Sequence, residues 1–322
     1  MPRLRSWTRP APALRLCMLV ALLALAACRR EPPPAELPGA ASEPAGAVRQ
    51  LATHLQNNDL QAFARDALPP QEHAALARAW AEGHSRWPVT ELPLDEQLGP
   101  LLAALSAPGS EQALRRSFER QMAGQDAALR NAARSLALFG VQYVRTQDDY
   151  SAEERGHYSQ VIGALGTWSA TAPLGDRARA EAAIDRLAAA ARATGLDGDE
   201  ALAAAGMEES LRRLGPFAAT VKAVLADYGL DLDRSLADLR TGLVEEDGDG
   251  ATVRIHYPLA GSEIDTTVSL TRRDGHWYLT DYLDHAARLL VEPPAASPAP
   301  PTLPDLPAPP APAEPAGPAA AR

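Results

Sequence analysis

The sequence predicts a mostly α-helical α+β protein, in which a helical body is followed by a small antiparallel β-meander of three or four strands. Apolar residues recur at helical spacing through residues 47–240, and from 241 to 291 most of the chain alternates apolar and polar residues before a last short helix. Residues 28–46 and 292–322 are rich in proline and alanine and poor in core-forming side chains, so we expect a disordered tether and a disordered tail.

The first helices are marked by their end signals. A helix that begins in the body ends before Asn57, and Asp59 is placed to cap the next one. Pro70 favours the first turn of a third helix, which carries Leu76 and Trp80 on its apolar side.

The longest predicted helix runs from Glu111 to about Val144. Its apolar positions, which are spaced by three, four or seven residues and predict a buried face, are Leu114, Phe118, Met122, Leu129, Ala133, Leu136, Phe139 and Tyr143.

Three further signals place the remaining helices of the body. Ser151 and Glu154 form a capping box, and Gly195 is positioned to end an alanine-rich helix over 176–194. A helix over 208–228 is predicted to bend at Pro216.

The meander is predicted from alternation and turn residues. Residues 252–257 and 264–270 alternate polar and apolar side chains, and Asp274-Gly275 is a turn signal before a further strand at Trp277. A glycine-rich acidic turn over 246–250 allows a first short strand over 242–245.

The first 27 residues have the features of a secretory leader. Four arginines precede twelve apolar residues, a run too short to span a bilayer. The run ends at Leu25-Ala26-Ala27-Cys28, which resembles the lipobox of bacterial lipoproteins. The resemblance implies cleavage between Ala27 and Cys28 and attachment of lipid to Cys28. Two alternatives are an ordinary secretory signal followed by a chance cysteine and an uncleaved membrane anchor.

The lipobox resemblance also implies a location. Lipid on Cys28 would hold the protein on a membrane, and Arg29 stands where an aspartate favours the inner membrane in lipoproteins of enteric bacteria. We therefore expect the periplasmic face of the outer membrane. Without the leader the chain has 27 basic and 41 acidic residues, and Cys28 is its one cysteine.

Composition and motifs exclude several classes of function. A net charge of −10 argues against a general nucleic-acid binder, which needs a basic surface. No metal-ligand motif, P-loop or nucleophile elbow is present, so the sequence predicts no catalytic, cofactor-binding or metal-binding residues. His73 and His84 lie eleven residues apart on one predicted helix, too far for one ion, and are expected to be solvated.

The C-terminal meander is similar, locally, to the last strands of small NTF2-like lipoproteins. The similarity rests on Asp274-Gly275-His276-Trp277-Tyr278-Leu279, and residues 51–60 are similar to the first helix of that family. The long helical stretch between the two matches departs from that family's pattern, and a meander by itself implies no chemistry.

Three functions remain open. The first is a non-catalytic binding or protein-interaction role in the cell envelope, with a protein or the cell wall as partner. The second is an enzyme acting on cell wall or lipid with acid and base carboxylates that the sequence does not identify. The third is a periplasmic inhibitor or immunity protein whose acidic surface suits a basic partner. The tail is either a passive spacer or a ligand for a proline-binding partner.

Overall fold

The computed structural model describes residues 41–91, 97–147 and 150–291. The leader, Cys28, the tail and Asp148-Asp149 lie outside the described residues. Within the described ranges the chain forms eleven α-helices and one sheet. The helices are α1 (Pro44–Gln56), α2 (Leu60–Asp66), α3 (Pro70–Ala81), α4 (Leu98–Ser106), α5 (Ser110–Gln121), α6 (Asp126–Arg145), α7 (Ala152–Ser169), α8 (Arg177–Thr194), α9 (Asp199–Asp227), α10 (Leu232–Ala237) and α11 (Thr280–Val291).

The helical core surrounds α9, which packs against α2, α3, α4, α8 and α10. Trp80 and Trp87 are fully buried there, as expected for core residues. The Trp80 indole N–H donates to the carbonyl of Leu202 at 2.9 Å, which satisfies a buried polar group and joins α3 to α9. The tryptophans therefore belong to the packing of the body.

Local end signals agree with the sequence. Asp59 accepts a hydrogen bond from the Ala62 backbone N–H, and the Ser151–Glu154 capping box is complete. Gly195 ends α8 in the left-handed conformation, at φ 61°. These caps bond neighbouring backbone groups, so their formation requires only local sequence.

The two long helices differ from the prediction. The helix expected over 111–144 is two helices, α5 and α6, separated by a turn in which Gly124 has φ 70°. In α9 the backbone leaves helical geometry at Gly206, with φ 74° and ψ 171°, a break that the sequence did not predict. Pro216 lies inside the helix, and the bend predicted there stays a prediction. Glycine adopts positive φ without steric penalty, and this makes it the weaker point of each helix.

The sheet has four antiparallel strands in the order β1-β2-β3-β4. The strands are β1 (Arg240–Asp247), β2 (Gly250–Leu259), β3 (Ser262–Arg273) and β4 (His276–Leu279). On its inner face Val253 and Trp277 pack with Val48 of α1 and with Ala41. Helix α1 begins before the expected tether boundary at residue 46, and Ala41 is 1% exposed, so these residues belong to the packed body.

A buried carboxylate joins α1 and α2. Asp66 is 4% exposed and accepts hydrogen bonds from Gln50, His54 and Arg65. The shortest donor–acceptor distance to each of these three residues is 2.8 Å. Burial by itself raises the pKa of Asp66, but the bonds from His54 and Arg65 outweigh it and leave that pKa below its ordinary value.

The Asp66 cluster predicts a pH-dependent contribution to folding. We expect Asp66→Asn to lower the free energy of unfolding at pH 7 by about 1.5–3 kcal/mol, because three donors lose a charged acceptor. A group with a lowered folded pKa stabilises the protein above its unfolded pKa, here about 3.9. The difference between the two proteins should therefore shrink as pH falls through 4 towards the lower folded value.

Urea denaturation at several pH values measures that difference. Asp238→Asn is the control, since Asp238 forms only an exposed ion pair with Arg234 at 3.6 Å and its loss should change stability by less than about 1 kcal/mol. Equal effects of the two substitutions would show that the Asp66 cluster does not stabilise the fold.

Candidate functional site: a two-helix arm with an acidic edge

Helices α6 and α7 form an antiparallel pair that we call the arm. Among the described elements, α6 packs along its length only against α7, whereas α7 also packs on β2 and β3. The two helices approach closely because glycines lie at their contact. A Cβ on Gly166 would lie 2.3 Å from the Ala137 Cβ, and one on Gly140 would lie 3.2 Å from Ile162.

Three contacts hold α7 on the body. Ala164 is buried against Leu259 and Ile264 of the sheet, and the Trp168 indole N–H donates to the Tyr228 carbonyl at 2.8 Å. His157 and the Tyr257 hydroxyl are 2.8 Å apart, and burial lowers the pKa of His157. The arm is therefore fixed to the sheet through α7.

Gln160 bonds directly to the edge of β3. Its side-chain amide donates to the Asp265 carbonyl at 2.8 Å, and its side-chain oxygen accepts from the Asp265 N–H at 3.0 Å. Over residues 262–269, β3 pairs with β2 on one side, and no described strand pairs with it on the other. The amide of Gln160 thus occupies the place of a neighbouring peptide group.

An apolar stripe runs along the exposed side of α6. Leu136, Phe139 and Tyr143 follow one another at i, i+3 and i+7 and are 69%, 68% and 52% exposed. The Phe139 and Tyr143 rings stack with centroids 6.2 Å apart. The sequence assigned these three residues to a buried face, and that assignment is wrong, because α7 covers the neighbouring face of α6 instead. We call Leu136, Phe139 and Tyr143 the stripe.

Two tyrosines, Tyr150 just before α7 and Tyr158 on α7, add to the apolar surface. The Tyr150 and Tyr158 rings meet edge to face with centroids 5.2 Å apart, and both side chains are partly exposed. The close pairs Gly140–Ile162 and Ala137–Gly166 fix how the two helices face each other. In that register, helical geometry places Tyr158 on the same side of the arm as Tyr143.

Carboxylates border Tyr158. The pKa of Tyr158 is raised by burial and then by the nearby charges of Glu154, Asp281 and Glu91. Asp281 lies in the first turn of α11; its pKa is raised by burial and then by Glu154, Asp284 and Glu91, while Arg288 acts in the opposite direction. We call Glu91, Glu154, Asp281 and Asp284 the acidic edge.

The acidic edge is only partly compensated. His285 donates to Glu91 at 2.5 Å, and Glu154 accepts from the Ser151 backbone N–H in the capping box. Asp281 forms no hydrogen bond or ion pair with any other described residue. Asp281 is exposed in the first turn of α11, so its carboxylate is accessible to a ligand.

The opposite side of the arm has a different character. An open groove of about 440 Å³ lies between α6 and α7 there, lined by Ala137, Leu138, Val141 and Arg134 among others. A second open pocket on α7 is lined by Arg145 and Arg155. Arg134 and Arg145 therefore lie away from the stripe, whereas Arg155 also donates to the Tyr150 carbonyl.

The histidines form separate pairs. His54 bonds Asp66, His157 bonds Tyr257 and His285 bonds Glu91. The part of the chain that the structure describes contains no group of three or more potential ligands that could hold a metal ion. The expectation of a solvated His73 is wrong: its side chain is 15% exposed, and burial lowers its pKa.

No protein-family model, curated protein or solved structure matches this chain. None of the described helices has the length and apolar composition needed to cross a membrane.

The arm predicts different responses of two neighbouring glycines. We expect Gly166→Ala to destabilise the protein by about 1–3 kcal/mol, because the new methyl group would clash with Ala137. Gly163→Ala is the matched control, since nothing lies within 4 Å of its added Cβ and alanine favours the helix by about 1 kcal/mol.

Thermal unfolding and amide exchange of α6 measure the two effects. Loss of protection in α6 with Gly166→Ala and a gain with Gly163→Ala would verify the close pairing of α6 and α7. Equal effects of the two substitutions would contradict it.

Proposed function

We propose that this chain is a lipoprotein anchored through Cys28 in the bacterial cell envelope, where it binds another protein with the arm. The leader supports the anchor, through its basic start, its short apolar run and the sequence Leu25-Ala26-Ala27-Cys28. Arg29 at the second mature position supports the outer membrane as the site of anchoring.

The exposed stripe is the observation that carries the binding role. Scattered single apolar residues are normal on protein surfaces, but a contiguous exposed patch marks an interaction site. Leu136, Phe139 and Tyr143 form such a patch on a helix that, among the described elements, packs mainly against α7. Aromatic side chains are also enriched among the residues that dominate binding at protein interfaces.

The proposal predicts a site-specific crosslink in intact cells. A photo-crosslinking amino acid at Phe139 should capture one abundant envelope protein, identified by mass spectrometry. The same group at Leu101, which is 48% exposed on α4, should capture only background proteins. The Cys28→Ala chain should leave the membrane fraction and lose the crosslink.

Two results would contradict the proposal. Equal crosslinks from positions 139 and 101 would remove the arm from the binding role. Retention of Cys28→Ala in the membrane fraction after alkaline washing would argue against the lipid anchor.

Asp281 favours a second candidate function, an enzyme acting on cell wall or lipid. A carboxyl group with a raised pKa beside other carboxylates is a candidate general acid. In this case the purified chain should hydrolyse wall fragments or phospholipid, and Asp281→Asn should reduce the rate by about a hundredfold or more. The control is Asp284→Asn. Equal rates for the wild type and both variants would exclude Asp281 as the acid.

A further inference from the structure

We propose that the stripe and the acidic edge together bind a basic amphipathic segment of a protein partner. This inference rests on the proposed function of the arm as a binding surface and adds the chemistry of the partner. It follows from the charge and apolar character of one side of the arm.

The apolar half of this surface is the stripe with Tyr158. Leu136, Phe139 and Tyr143 span about two turns of α6, a length of about 10 Å. The apolar face of an amphipathic helix has side chains at i, i+3, i+4 and i+7, which span a similar length. The stripe therefore fits one face of a partner helix.

The charged half of this surface is the acidic edge. The charges of Glu154, Asp281 and Glu91 act on Tyr158, and that of Asp284 acts on Asp281. The described cations beside these carboxylates include His285 and Arg288. His285 pairs with Glu91 and Arg288 acts on Asp281, so the four carboxylates outnumber these two cations. Lysine or arginine side chains on the partner would neutralise the remaining negative charge.

The distribution of charge favours a protein segment over a lipid surface. Arg134 and Arg145 line the pockets on the opposite side of the arm, away from the stripe. A helix that binds anionic lipid carries its basic residues beside its apolar face. Here carboxylates occupy that place, so an anionic bilayer would be repelled.

The test uses the purified full chain held in nanodiscs of neutral phosphatidylcholine. The probe is a fluorescent synthetic peptide of about 14 residues, about four helical turns, with leucines at i, i+3, i+4 and i+7 and lysines elsewhere. A second peptide with glutamate in place of each lysine is its match. Fluorescence anisotropy measures binding at low and high salt.

The lysine peptide should bind and the glutamate peptide should not. Phe139→Ser should weaken binding about tenfold or more, through lost apolar contact. Glu154→Gln combined with Asp281→Asn should weaken it by a similar factor and reduce its salt dependence. Glutamine suits the capping position of Glu154, so the arm should keep its fold, which circular dichroism checks.

Two variants away from the arm serve as controls. Leu243→Ser replaces an exposed apolar residue of β1, and Glu246→Gln removes an exposed carboxylate of the same strand. Both should bind the lysine peptide as the wild type does.

Three outcomes would overturn the inference. They are equal binding of both peptides, equal binding by the arm variants and the controls, and binding of the wild type to phosphatidylglycerol vesicles that depends on Phe139. A specific crosslink from position 139 in cells, together with no binding of the lysine peptide, would reject the basic segment and leave the proposed function intact.

Discussion

Strand β4 joins two hydrophobic cores that would otherwise be separate. Successive side chains of a strand point to opposite faces, so Trp277 enters the core between the sheet and α1 while Tyr278 enters the helical core. Helix α11 follows β4 without a loop, and its position is set by that double burial. Helix α7 also packs on β3. The C-terminal half of the sheet therefore positions both the arm and the acidic edge.

Much of the fold could be predicted from the sequence because its signals are local. Caps, turn glycines and strand alternation depend on neighbouring residues, and the mostly helical α+β architecture with four antiparallel strands is confirmed. The arm and its acidic edge could not be predicted in the same way. Periodicity shows that a helix has an apolar face, but it does not show whether another element covers that face.

Particular residues illustrate this limit. Leu136, Phe139 and Tyr143 have the spacing of a buried face, yet α7 contacts α6 through small residues at a different angle. Gly124 is the residue in the sequence that indicates a break in the predicted long helix. A break there would have left α6 as a shorter, separate helix, and this would have suggested a hairpin of α6 and α7 that is independent of the body. Asp281 and Glu154 are distant in sequence, and only tertiary packing brings their charges together.

The hydrogen bonds of the Gln160 side chain affect how two copies of this chain could pair when they lie close together. An open strand edge is a template for pairing between chains that meet at high local concentration. Gln160 closes part of β3 from within the same molecule, so a neighbour would have to displace two hydrogen bonds to pair there. On β1, an outer strand of the sheet, Glu245, Glu246 and Asp247 give the edge like charges. These charges oppose the pairing of two copies through that end of β1.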